Sequence, residues 1–275
     1  MASLECRDKI IMSQSDNVLF TIDDRGVATV TLNQPDIHNA FDDKLIIKLT
    51  DIFTDINAND KVRVMVLAAA GKSFSAGANL NWMQKMATYS YEQNLADANA
   101  LAKMFSVLNN INKPTIARVQ GAAFGGAVGL IACCDIAIGS KLSKFCLSEV
   151  KLGLIPATIS PYVIDAIGAR VARRYFATAE VFSARRARRL GLLSEDVVEE
   201  ELDSTINTLI THILKNSPAA VSAAKQLVFA VQKEAITDEL IAKTSEKIAN
   251  IRVSAEGQEG LNAFLHKRPA NWITE

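Results

Sequence analysis

The sequence is short of the side chains that metal, nucleotide and thiol chemistry require. Its three histidines, His38, His212 and His266, lie far apart, and no HExxH or Cys/His cluster occurs, so no metal site is expected. There is no Walker A loop and no serine nucleophile elbow. The four cysteines, Cys6, Cys133, Cys134 and Cys146, form neither a CxxC pair nor a dense disulfide framework. Reduced thiols in a cytoplasmic protein are therefore expected. Net charge is also missing, because 30 Lys and Arg balance 30 Asp and Glu. No global field draws the chain toward nucleic acid or an anionic membrane, and neither is expected as a partner. The longest apolar run, residues 127–134 (AVGLIACC), falls far short of the ~20 residues of a membrane span. The opening MASLECRDKIIMSQSDN mixes Glu5, Arg7, Asp8 and Lys9 and lacks the apolar core of a secretory signal. What chemistry remains rests on carboxylates and the backbone.

What is present is a globular composition, 49% apolar and 22% charged over 275 residues, enough for a sizeable core. Residues 18–23 (VLFTID) and 27–32 (VATVTL) flank Asp24-Arg25-Gly26 and predict a hairpin. Residues 42–57 place Leu45, Ile46, Leu49, Ile52, Phe53 and Ile56 at helical spacing. A strand is predicted at 62–67, a loop at 68–78, a helix at 91–110 and a strand at 115–119. A turn at 120–126 then leads to a helix from 127 and a strand at 135–138. This alternation points to α/β architecture. From Ser183 the pattern is nearly all helical, with Pro218 opening a helix behind Asn216-Ser217 and an amphipathic piece at 256–266. The organisation predicted is an α/β core over 1–216 and a helical region over 217–275, packed on its own core, a partner subunit, or both.

Two loops set Gly and Ala between a strand and a helix, Phe74-Ser75-Ala76-Gly77-Ala78-Asn79 and Phe124-Gly125-Gly126-Ala127. The unpaired N–H groups of a helix start attract negative charge, and small side chains let a ligand oxygen reach them. Two converging amides would form an oxyanion hole. The alternative is glycine serving turn geometry and close packing. Glu149 lies in an apolar stretch, where desolvation would raise its pKa and fit it for acid and base work; an ion pair with Lys144 or Lys151 on an exposed strand edge is the other reading. Arginines 170, 173, 174, 185, 186, 188 and 189 crowd one segment, either as an anion-binding patch or as a solvated or subunit-facing helix. Trp82 and Met83 fit either an acyl pocket or core packing.

In their order and spacing these segments resemble the crotonase (enoyl-CoA hydratase/isomerase) superfamily along nearly the whole chain. The resemblance is carried by residues 27–32, Pro35, His38-Asn39-Ala40, Ser75-Ala76-Gly77-Ala78-Asn79-Leu80, Lys113-Pro114, residues 121–126 (GAAFGG), Cys134-Asp135-Ile136, residues 145–156, residues 187–193 and residues 259–264. SAGANLNWM and FCLSEVKLGLIPATISPYVI are most similar to hydratases of branched glutaconyl-CoA thioesters, methylglutaconyl-CoA and isoprenoid-derived isohexenylglutaconyl-CoA among them.

The resemblance implies a spiral of ββα units followed by a helical trimerisation region, and a homo-oligomer that is a trimer or a dimer of trimers. It implies that Ala78 and Gly126 supply the oxyanion amides and that Glu149 is the acid/base. Ala40, Ala76, Gly77, Asn79, Leu80, Asn81 and Gly125 would hold the acyl-CoA substrate. Lys267 is a candidate for its phosphates, from its own or a neighbouring subunit, or else a cation suited to a helix C-terminus. No cofactor beyond coenzyme A in the substrate is implied. The sequence departs from the family's two-glutamate hydratases at Gly129, where a second glutamate is common, at Asn79, where Asp is frequent, and at Thr158 and Ser160 in a stretch otherwise rich in glycine. Hydration of a 2-enoyl-CoA is the expected activity. Double-bond isomerisation by one glutamate, or a non-catalytic binder of CoA thioesters or RNA on the same fold, are its alternatives.

Overall fold

A computed structural model describes residues 17–273, so the readings of Cys6 and of the opening segment through Asp16 fall outside the described residues. Strands β1 (Val18–Ile22) and β2 (Val27–Leu32) pair antiparallel, their turn closed by the Gly26 N–H donating to Asp23 O at 2.9 Å. Helix α1 (Asp43–Ala58) starts where the Asp42 carboxylate accepts the Leu45 N–H at 2.8 Å, and it buries the apolar stripe that the spacing marked. Every residue of β3 (Val64–Ala69) is buried, as a parallel strand covered on both faces requires. Helices α2 (Leu80–Met86) and α3 (Tyr91–Asn109) lead to β4 (Thr115–Val119) and β5 (Ala122–Phe124). Helix α4 (Gly126–Cys133), β6 (Ile136–Ser140) and β7 (Lys144–Cys146) follow, then α5 (Ser160–Ile167) and α6 (Ala169–Thr178). Strand β8 (Phe182–Ser183), α7 (Ala184–Leu190), β9 (Glu195–Val197) and α8 (Leu202–Leu214) close this part of the chain.

The larger sheet runs β1-β2-β3-β4-β6-β9, parallel except for the β1 edge. On one face Met65, Leu67 and Ala117 join the main core with α1, α3 and α4. On the other, Val64, Val66, Ile116 and Ile138 meet Leu202, Ile206 and Ile210 of α8. A small second sheet, β5-β7-β8, stands beside it. The expected α/β architecture of repeated strand–helix units with a helical C-terminal region is the one observed.

Three local expectations are corrected. Residues 68–69 belong to β3 rather than to the loop, pairing with Thr31 and Leu32 of β2, and the strand begins at Val64 because Val62 closes a turn on Asn59. The stretch 120–126 contains β5, and the segment from Ser183 contains the end of β8 and all of β9. These strands have two or three residues, too few to show alternation, and exist only through partners distant in sequence.

Helix α9 (Pro218–Val231) starts at Pro218 with Ser217 capping Ala220, and α10 (Asp238–Val253) and α11 (Ala255–Leu265) follow. Lys225 pins α9 to the core, its Nζ 2.7 Å from Asp135 and 3.1 Å from Lys113 O. Arg63 donates to Leu214 O and Asn216 O, tying this region to the foot of β3. Within one chain α9 and α10 bury no residue, and Val228, Ile241, Val253, Phe264 and Leu265 are exposed. Among the described residues no helix is long and apolar enough to cross a membrane.

Candidate active site

The first Gly/Ala loop hangs on the segment just before α1. Phe41 faces Ala78 in an isolated parallel bridge, donating its N–H to Gly77 O and accepting the Asn79 N–H, each at 2.8 Å. In a parallel pairing those two bonds consume the groups flanking Ala78 and turn its own N–H to the opposite side. Among the described residues that N–H has no hydrogen-bond partner. Asn79 then caps α2, its Oδ1 accepting from Asn81 at 2.9 Å and Trp82 at 3.3 Å. An Asp here would cap as well, so the departure at Asn79 leaves this local role intact.

The second loop is fastened to the first. Ser75 donates to Ala122 O and accepts from the Phe124 N–H, both at 3.0 Å, which lays the loop on β5. Beyond β5 the chain turns at Gly125, whose φ of 57° with ψ of −122° suits glycine alone. The Gly125 N–H is taken by Cys146 O at 2.8 Å. Gly126 is the first residue of α4, and its N–H, one of the orphan donors of a helix start, is unpaired among the described residues. The two free amides thus come from adjacent loops joined at Ser75.

Glu149 opens a short 3-10 turn after β7. Its Oε1 would lie 3.3 Å from a Cβ placed on Gly125, so the carboxyl stands directly against the second loop. Its Oε2 is buried with no partner. Burial raises the pKa of this carboxyl above the ordinary carboxylate range, and a hydrogen bond from its own backbone N–H only partly opposes that. It forms no ion pair with Lys144 or Lys151 among the described residues, so the surface-pair reading fails.

Around Gly126 and Gly129 of α4 the surroundings are apolar. A Cβ on Gly126 would meet the rings of Phe105 and Phe41 at 3.8 Å. At Gly129 the added atom would fall 2.3 Å from Ile159 Cγ2 and 3.0 Å from Phe105 Cε1. The position that commonly carries a second glutamate is therefore filled from outside by a buried isoleucine. The sequence reading missed Phe41, Phe105 and Ile159; Phe41 adjoins Ala40, but no local signal marks Ile159, which arrives from the approach to α5.

Ala76 and Ala78 are exposed and Gly77 half-buried beside Ala40, while Leu80 and Asn81 face solvent at the start of α2. Trp82 is core rather than pocket: it is buried and donates its Nε1–H to Asp97 at 3.2 Å. Lys267 lies exposed past α11 and makes no hydrogen bond or ion pair to either loop among the described residues. Of the arginines, Arg174 pairs with Glu180, Arg186 reaches the Tyr175 hydroxyl and Arg188 pairs with Asp196, while Arg185, Arg188 and Arg189 line one cavity. Burial keeps the thiols of Cys133 and Cys134 protonated, the latter pushed up to about 12, as befits small apolar fillers. Among the described residues no cluster of His, Cys, Asp and Glu could hold a metal ion.

A sequence model of the family described as enoyl-CoA hydratase/isomerase matches residues 23–275. The crystal structure of an enoyl-CoA hydratase from Shewanella pealeana superposes with a TM-score of 0.90 at 48% identity, covering 94% of this chain and 96% of that one. The short-chain-enoyl-CoA hydratase of Clostridium acetobutylicum is 31% identical over 88% of this chain and 92% of its own length. The crotonyl-CoA hydratase of Syntrophomonas wolfei is 28% identical over 94% of this chain and 99% of its own.

Proposed function

The chain belongs to the crotonase (enoyl-CoA hydratase/isomerase) superfamily and is an enzyme acting on CoA thioesters, and from that premise we propose how its residues hydrate a 2-enoyl-CoA. The thioester carbonyl lies between the Ala78 and Gly126 N–H groups, which stabilise the enolate oxygen as charge develops on it. Coenzyme A runs along Ala40, Ala76, Gly77, Asn79, Leu80 and Asn81 and past Gly125, with Lys267 reaching its phosphates from a neighbouring subunit. Further copies of the chain cover the exposed apolar side chains of α9–α11.

Glu149 handles both protons. As carboxylate it takes a proton from water while the oxygen bonds to the β-carbon and the π electrons move to the carbonyl oxygen. The resulting acid delivers that proton to the α-carbon as the enolate collapses, which regenerates the carboxylate. The observation that carries this reading is the Glu149 carboxyl itself, set against Gly125 with one oxygen buried and unpartnered. The resemblance in SAGANLNWM and FCLSEVKLGLIPATISPYVI supports a branched acyl group of the methylglutaconyl or isoprenoid-derived kind.

Steady-state hydration of straight and branched 2-enoyl-CoAs, followed by loss of the conjugated absorbance, tests this. Glu149→Gln should lose roughly 10²–10⁴-fold in kcat, the usual worth of general acid–base help. Full activity in that variant would remove Glu149 from the chemistry. Wild-type kcat/KM should fall as pH drops through the raised Glu149 pKa, because the carboxylate starts the cycle. The same shift has a stability sign: a folded pKa above the unfolded one makes ionised Glu149 cost stability as pH rises through that window. Glu149→Gln should therefore melt higher than wild type at neutral pH and show no gain under acid conditions.

The tight Ile159–Gly129 contact favours one further reading, since a lone carboxyl suffices to move a proton from one carbon to another. Product analysis separates the two: a 3-hydroxyacyl-CoA marks hydration, and a shifted alkene without water uptake marks isomerisation.

A further inference from the structure

Asn39 has no part in the chemistry above, yet it is 1% exposed and its side chain is saturated with partners. Its Oδ1 accepts the Gln34 N–H at 2.7 Å, and its Nδ2 donates to Ala70 O and Ser73 O, each at 2.9 Å. These carbonyls belong to the turn that leaves β3 and enters the first loop. His38 and Asn39 are also consecutive left-handed residues, with φ of 54° and 53°. Asn accepts that conformation more readily than most residues. The paired turn swings the chain alongside the loop, where His38 O receives the Ala76 N–H at 3.0 Å and Phe41 clasps Ala78 from both sides. The side chain of Asn39 thus grips the loop at 70 and 73, while the main chain on either side of it grips 76 through His38 and 77 and 79 through Phe41.

We propose that Asn39 is a positioning residue for the Ala78 amide: its carboxamide locks residues 70–73 to the 38–41 segment and so sets where the Ala78 N–H points. This inference rests on reading Ala78 as an oxyanion donor. The carboxamide is suited to the task because it offers two donors to two carbonyls and one acceptor to a backbone N–H in a place closed to water. An aspartate of the same shape would turn an anionic oxygen on Ala70 O and Ser73 O. A glycine would keep the left-handed backbone and lose all three bonds.

The test uses an aryl-conjugated 2-enoyl-CoA such as cinnamoyl-CoA, whose absorption moves to longer wavelength when hydrogen bonds polarise the bound thioester carbonyl. Asn39→Asp and Asn39→Gly should fold by circular dichroism, bind the probe with little change in Kd, and lose most of the wild-type shift. With a turnover substrate KM should hold while kcat falls toward the ~10²–10³-fold loss of a missing oxyanion donor. Acidifying Asn39→Asp should restore part of the probe's shift, because a protonated carboxyl donates one of the two lost bonds. A full spectral shift in both variants overturns the role of Asn39. Failure of both to fold overturns it too, since Asn39 would then be holding the domain rather than the loop. A wild-type protein that binds the probe with no shift counts instead against the oxyanion reading of Ala78 and Gly126.

Discussion

The two loops that flank the candidate site present the same kind of group, an unpaired backbone N–H, by opposite means. The second loop is packed. Gly125 is buried, Ala127 and Val128 behind it are fully so, and the helix start points the Gly126 N–H outward. The first loop is strung. Ala76 and Ala78 are exposed, and the loop is held by backbone bonds to His38, Phe41 and Ala122 and by the Asn39 carboxamide. The glycines show the contrast. Both have positive φ, yet a Cβ on Gly77 would meet nothing within 4 Å, while one on Gly125 would press on the Glu149 carboxyl at 3.3 Å. A donor set by packing is sensitive to volume, and a donor set by hydrogen bonds is sensitive to polarity and register.

The largest effect that would sharpen this contrast is expected at Gly125. Gly125→Ala imposes a side chain on a glycine-only conformation and drives it toward Glu149, so kcat should fall by roughly 10²-fold, with strain of about 1–3 kcal/mol visible in the melting temperature. Gly77→Ala carries the backbone strain of a φ of 108° but meets no neighbour, so it should lose less, and equal losses in the two variants would break the comparison. Next comes Gly129→Ala, whose methyl would sit 2.3 Å from Ile159 Cγ2. Overpacking there should cost about 1–3 kcal/mol by denaturant unfolding, and Ile159→Ala in the same chain should recover part of it. The smallest effect is expected at Asn79. Asn79→Ala removes the cap of α2 and should cost about 1 kcal/mol or less by thermal melting; a larger loss would mean that α2 supports more of the first loop than its cap.

Much of this was legible in the chain. The apolar stripe of α1 follows from periodicity, the strand at 115–119 from the short run behind Lys113-Pro114 and the start of α9 from Ser217-Pro218, because these signals are local. Glu149 and the two loops were marked by composition, and the resemblance gave them roles. Asn39, Phe41 and Ile159 were not singled out for the site. A buried asparagine satisfied by carbonyls at 70 and 73 looks like any turn residue until those carbonyls are in place. Strands β5, β8 and β9 were missed for the same reason.

The sequence by itself determined the family, the α/β order of elements and the residue types available for chemistry, since periodicity, capping and motif spacing are written within a few residues of one another. Only the tertiary structure decided that the Glu149 carboxyl is half-buried beside Gly125 rather than paired at a surface, and that Ile159 fills the space a second carboxylate would need. Both depend on segments tens of residues apart meeting in one core, where the cost of burying charge and the limit on volume are set by neighbours that no stretch of sequence contains.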